Sequence, residues 1–286
     1  MTAILCIGYS FFSSIITDAL TGEIKERRNE YENSIQESFV LHDEYQEFVD
    51  ANNFSNMQES MDERPMLSAM KTLASQNEDT VGWIRVSGTD VDNVIVQGDD
   101  NNHYLHYDFF NAPNEAGTIF LDERCQINPS IKSNNIILYG HNQRDGSMFG
   151  TLTSYKLDPL KVNEYPYIEF NNMYDNFKFK IVSMFIINTK EEHDNEPLFY
   201  YNMYTKFDDY YTYEEFSSQI QKRSMVKSNI DIKETDTFIT LSTCAADFDD
   251  ARFVIVGRAI RDKNDLEIKE EYTINESAYF PRIYNG

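Results

Sequence analysis

The stretch TDTFITLSTCAADFDDARFVIVGRAI, residues 235–260, decides how this chain folds. Two apolar runs, FITLSTC and RFVIVGRAI, flank a turn of small and acidic residues, AADFDDA. Runs rich in β-branched and aromatic residues read as strands, and so short a connection makes these two a hairpin. Six runs of the same kind precede them: VGWIRVSG at 81–88, VDNVIVQGDD at 91–100, GTIFLDE at 117–123, NNIILYGHN at 134–142, YPYIEFNN at 165–172 and DNFKFKIVSMFIINT at 175–189. Eight such segments punctuated by turn residues predict a mainly β fold with a closed or nearly closed sheet. Helical segments interrupt it at SMFGTLTSYK, 147–156, and YTYEEFSSQIQKRSM, 211–225. There is no GxGxxG, no Walker loop and no regular βαβ alternation, which argues against a doubly wound nucleotide-binding fold.

Composition narrows the class of function. The chain has 286 residues, of which 41% are hydrophobic and 26% charged, enough for a sizeable core. Its 48 acidic residues against 25 Lys and Arg give a net charge of −23, so nucleic acid is not an expected partner. Phe and Tyr number 20 and 19 against a single Trp, a load that suits a β-rich core. The cysteines, Cys6, Cys125 and Cys244, are too few and too scattered for a disulfide framework or a CxxC zinc site.

Residues 2–17, TAILCIGYSFFSSIIT, are apolar and nearly uncharged. As a helix they span about 24 Å, a little short of a ~30 Å hydrocarbon core. No basic region precedes them and Lys25, Arg27 and Arg28 follow, the reverse of the expected charge bias, so the true start is either upstream or weakly obedient to that rule. No small-residue cleavage site follows, and the stretch reads as an anchor within residues 1–20. Residues 21–77 read as a helical stalk, including EIKERRNEYENSIQESFVLHDEYQEFVDANNF and MLSAMKTLASQN. A β unit at 78–261 and a polar C-terminal tail at 262–286 complete the expected organisation.

The chemistry gathers at the hairpin. Cys244 ends one strand and Arg252 begins the next, so the two can face each other across the sheet. A cation beside a thiol favours the thiolate and can stabilise an oxyanion. Of the five histidines, His42 lies in the stalk, His103 and His106 in a polar stretch and His193 in an acidic loop. His141 ends a buried-looking strand. Cysteine, histidine and arginine at strand ends are the minimum for acyl transfer through a thioester. From spacing alone this reading and a coincidence of an inert cysteine with a surface histidine stand level.

The segments TLSTC at 240–244 with Arg252, YGHN at 139–142 followed by SMF at 147–149, QGDDNNHYL at 97–105 and GTIFLDERC at 117–125 resemble, in this order, the class B sortases. The resemblance implies an eight-stranded sortase-type β-barrel with N-terminal helices and an extra helix before the cysteine-bearing strand. It implies a cysteine transpeptidase of Gram-positive bacteria, anchored in the cell membrane by a single N-terminal pass with its catalytic domain outside. In that reading Cys244 attacks the Thr carbonyl of a C-terminal sorting signal on a surface protein. His141 then serves the leaving and incoming amines, and Arg252 holds the substrate and its oxyanion. The acceptor is an amine of a peptidoglycan cross-bridge or lipid II. Neither metal nor organic cofactor is implied. Alternatives are polymerisation of pilins through a lysine amine, transfer to water as a thiol peptidase, and a non-catalytic peptide-binding adaptor. Arg258 shares a face with Arg252, but the family pattern selects Arg252. Ser242, Asn101 and Leu105 match substrate-groove positions. Asp247 and Asp249 either orient His141 or form a solvated acidic turn.

Overall fold

The computed structural model describes residues 68–284, apart from Asn195 and Ala246. The chain divides into two units, residues 1–73 and 74–286. Of the first, only the start of helix α1 (Ser68–Ala74) is described, so the expected anchor and most of the stalk lie outside the described residues.

All eight expected strands form. They are β1 (Thr80–Val86), β2 (Asp92–Val96), β3 (Phe120–Leu121), β4 (Asn135–Tyr139), β5 (Tyr167–Asn172) and β6 (Asn176–Ile187), then, beyond a short β7 (Val226–Ser228), β8 (Phe238–Cys244) and β9 (Arg252–Ala259). They close a barrel in the order β1-β2-β3-β4-β8-β9-β6-β5. The β2–β3 and β4–β8 pairs are parallel and the others antiparallel.

The apolar runs are continuous because β8, β9 and β6 are buried on both faces. Ile239 and Leu241 of β8, Phe253 and Ile255 of β9, and Met184 and Ile186 of β6 fill the barrel interior. Their neighbours in alternation, Phe238, Val254, Val256, Phe185 and Ile187, belong to a second core outside the barrel. Two elements cover that outer face: the loop carrying Phe199, Tyr201 and Tyr204, and helix α3 (Tyr213–Arg223), which follows a short α2 (Thr153–Leu157) in chain order. Phe216 and Ile220 sit four residues apart, on one helix face, and are fully buried. Each such burial is worth about 1.5–3 kcal/mol. Thr212 caps this helix, its hydroxyl accepting from the Glu215 N–H at 3.2 Å.

The stretch set apart as a C-terminal tail at Asp262 packs into the second unit. Helix α4 (Lys263–Glu267) is followed by β10 (Tyr272–Ile274), which pairs with β7. Asp265 of α4 forms an ion pair with Arg258, and Glu270 one with Lys180 at 2.9 Å. Lys180 and Arg258 are register partners on β6 and β9, each about 1% exposed. The outward face of the sheet therefore ends in two buried cations whose carboxylates come from beyond the barrel.

Candidate active site

Three neighbouring strands end together at the other end of that outward face. Cys244 is the register partner of Arg252 in the antiparallel β8–β9 ladder. Tyr139 pairs with Ser242 in the parallel β4–β8 ladder, and the Gly140 N–H extends it to the Ser242 carbonyl at 3.3 Å. Two residues further along both strands, His141 comes beside Cys244. Adjacent strands lie about 4.8 Å apart, so His141, Cys244 and Arg252 occupy one row of backbone positions across three strands. The side chain of Asn142 ties the row together, its Nδ2 donating to the Cys244 carbonyl at 2.9 Å. Cys244 is exposed, while His141 and Arg252 are half-buried.

The loop after β4 is built to hold His141. Its carbonyl accepts from the Phe149 N–H at 2.9 Å, and Phe149 is completely buried. A Cβ at Gly140 would lie 2.8 Å from the Phe149 ring, so only glycine lets the ring pack beneath the strand end. The YGHN and SMF segments are thus two sides of one contact.

On the imidazole itself, Nε2 lies 2.9 Å from the Leu105 carbonyl. A carbonyl only accepts, so Nε2 carries a proton and Nδ1 is the nitrogen left for a reacting group. Leu105 therefore meets the site through its backbone. Its loop is closed by Gly117 at φ +61°, where a Cβ would lie 2.4 Å from the Tyr104 carbonyl.

Asn101 and Ser242 are committed within the protein. The Asn101 amide donates to Asp122 at 3.1 Å and accepts from the Glu123 N–H at 2.9 Å. Ser242 is 3% exposed and its hydroxyl lies 2.6 Å from the Tyr201 hydroxyl. Asp247 does not orient His141: it pairs with Lys156 of α2 at 2.6 Å, and Asp249 is exposed in the turn. Arg258 shares the outward face with Arg252, but buried against Asp265 it has no access to the row.

The sortase domain family matches residues 84–260, the span that carries the whole row and all of the barrel but the start of β1. The chain belongs to the sortases, in class B. Sortase B of Listeria monocytogenes is 33% identical over 67% of this chain and 74% of its own length. Sortase B of Staphylococcus aureus is 28% identical over 90% of this chain and 92% of its own. The crystal structure of Clostridium perfringens sortase B superposes with a TM-score of 0.58 at 32% identity, covering 67% of this chain and 99% of that one.

As a sortase, the chain is a cysteine transpeptidase acting on sorting-signal substrates. Several residues of its site are silent in the sequence. Tyr201 is one of many aromatics in LFYYNMYTKF, and only the fold brings it onto Ser242. Burial pushes the Tyr201 hydroxyl up despite the Ser242 bond and the Arg252 charge. Asp122 is fully buried, which alone would raise it, yet the Arg124 hydrogen bonds hold it below the usual carboxylate range. Tyr139, the residue two before His141, donates to the same carboxylate at 2.8 Å.

Proposed function

We propose that this sortase attaches proteins bearing a C-terminal sorting signal to an amino group of cell-wall peptidoglycan or its lipid precursor. In this reading residues 2–17 anchor it in the cell membrane and the catalytic unit works outside. Cys244 passes its thiol proton to His141 Nδ1, and its Sγ attacks the carbonyl carbon of the signal's Thr. The C–N bond breaks, His141 delivers a proton through Nδ1 to the leaving amine, and a thioester remains. The incoming amine gives a proton to His141 and attacks the thioester, and the thiolate leaves. One amide is exchanged for another, so neither oxidant nor cofactor is consumed. Arg252 holds the peptide and the tetrahedral oxyanion, a contribution typically worth about 10²–10³ in rate.

The observation that supports this is the shared row of His141, Cys244 and Arg252 at three adjacent strand ends, with Cys244 alone of the three exposed. The test is to incubate the chain with a sorting-signal peptide and each of three acceptors: a peptidoglycan stem-peptide amine, a pilin lysine peptide and water. Product masses identify the acceptor. Transfer to the stem-peptide amine is expected. Cys244→Ala, an exposed-site change within about 0.5 kcal/mol in stability, is expected to form no product at all. Transfer to the pilin lysine alone, or to water alone, overturns the cell-wall reading.

A further inference from the structure

Between the loop after β3 and the aromatic loop stands a guanidinium with a donor to spare. The buried Asp122 carboxylate accepts from Arg124 Nε at 2.8 Å and Nη2 at 2.7 Å, and also from Tyr139 and Asn101. This fork fixes the plane of the guanidinium. Nη2 also donates to the Asn202 carbonyl at 2.9 Å, across to the aromatic loop. Nη1 meets only the Met203 thioether, at 3.0 Å. A thioether is a weak acceptor, and the second Nη1 proton has no acceptor among the described residues. The side chain is 34% exposed, so a ligand can reach it.

We infer that Arg124 is a specificity-determining residue that binds a neutral carbonyl oxygen of the sorting signal about four residues from the scissile bond. The inference rests on the substrate reading above. The spacing is taken from the backbone of Asp122, the residue whose carboxylate holds the guanidinium. The Asp122 N–H bonds to the Ile137 carbonyl, and Ile137 pairs with Thr240, four residues before Cys244. Four strand residues rise about 13 Å, the reach of four residues of extended peptide. The acceptor is a neutral amide rather than a carboxylate, because Asp122 already balances the Arg124 charge and the chain carries −23 overall. Asn101, on the same carboxylate, has both ends of its amide engaged, so the free donor belongs to Arg124.

The test compares wild type and Arg124→Lys, which keeps a cation on Asp122 but lacks the fork. Each receives a complete signal peptide and one truncated to three residues before the scissile bond. Truncation is expected to raise the wild-type KM at least tenfold, and that of the variant less than twofold, with kcat moving little in either. An equal truncation penalty in both enzymes overturns the assignment, as does a variant that loses kcat equally on both peptides. If the variant does not fold, a scan on wild type replacing each amide carbonyl of the signal, main-chain or side-chain, by an isostere without the oxygen decides the matter. A scan with no KM effect at the fourth position overturns the inference. A wild type that forms no thioester with any signal peptide overturns the substrate reading and this inference together.

Discussion

Ser242 and Cys244 lie two residues apart on the same face of β8, yet one is sealed and the other open. Tyr201 makes the difference by bonding the Ser242 hydroxyl from the covering loop. With its ionisation pushed up by burial, Tyr201 stays neutral through the physiological range, so the buried pair carries no charge. Removing one partner leaves a buried hydroxyl without its mate, at about 1–3 kcal/mol. Tyr201→Phe and Ser242→Ala are each expected to cost this much in urea unfolding. The double variant should cost less than their sum, by about 1 kcal/mol, because the second change removes the orphan left by the first. Strictly additive costs would mean that the two hydroxyls do not share a bond in solution.

At the scale of elements, the site depends on how the loop after β4 returns beneath its own strand. Gly140→Ala sets a methyl against the buried Phe149 ring, so the ring or the strand end has to move, and His141 moves with either. Transpeptidation is expected to fall about 100-fold, the scale of a misplacement near 1 Å. The exposed Cys244 should still be open to alkylation, since the thiol sits on a different strand. Loss of alkylation along with activity would show that β8 itself had been displaced. The barrel strands were legible because each is a buried run bounded by turn residues, and the hairpin because its turn is short. The Cys244–Arg252 partnership followed from that hairpin alone. β7 and β10 were not legible, being three residues long with side chains partly open to solvent. Long-range commitments were equally silent. Asp247 reaches Lys156 and Asn101 reaches Asp122, and neither spacing announces the partner.

For the molecule as a whole, the barrel is completed by charges from outside it. Lys180 and Arg258 are buried side by side, and their carboxylates, Glu270 and Asp265, belong to the segment after the last barrel strand. A buried pair that loses one partner leaves an uncompensated charge, at about 3–5 kcal/mol. The segment is thereby bound to the barrel through its acidic groups, and the attachment carries a pH signature. Burial alone would raise the Asp265 carboxyl, but hydrogen bonds from Arg258 and the Arg261 N–H, with the charges of Arg258 and Lys180, outweigh it and hold it at about 2. In the unfolded chain an aspartate titrates near 3.9. Between these values the unfolded state binds more protons than the folded one, so stability rises with pH across that window. The contribution is complete above about pH 5, amounts to about 2 kcal/mol, and is lost as the pH falls through 2. Asp122, also held low by its arginine, adds to the slope with the same sign. Urea midpoints measured from pH 5 to pH 2 should therefore fall more steeply for wild type than for Asp265→Asn, which starts less stable at pH 5 and converges on wild type in acid. Parallel curves would mean that Asp265 is not the group whose protonation releases the C-terminal segment.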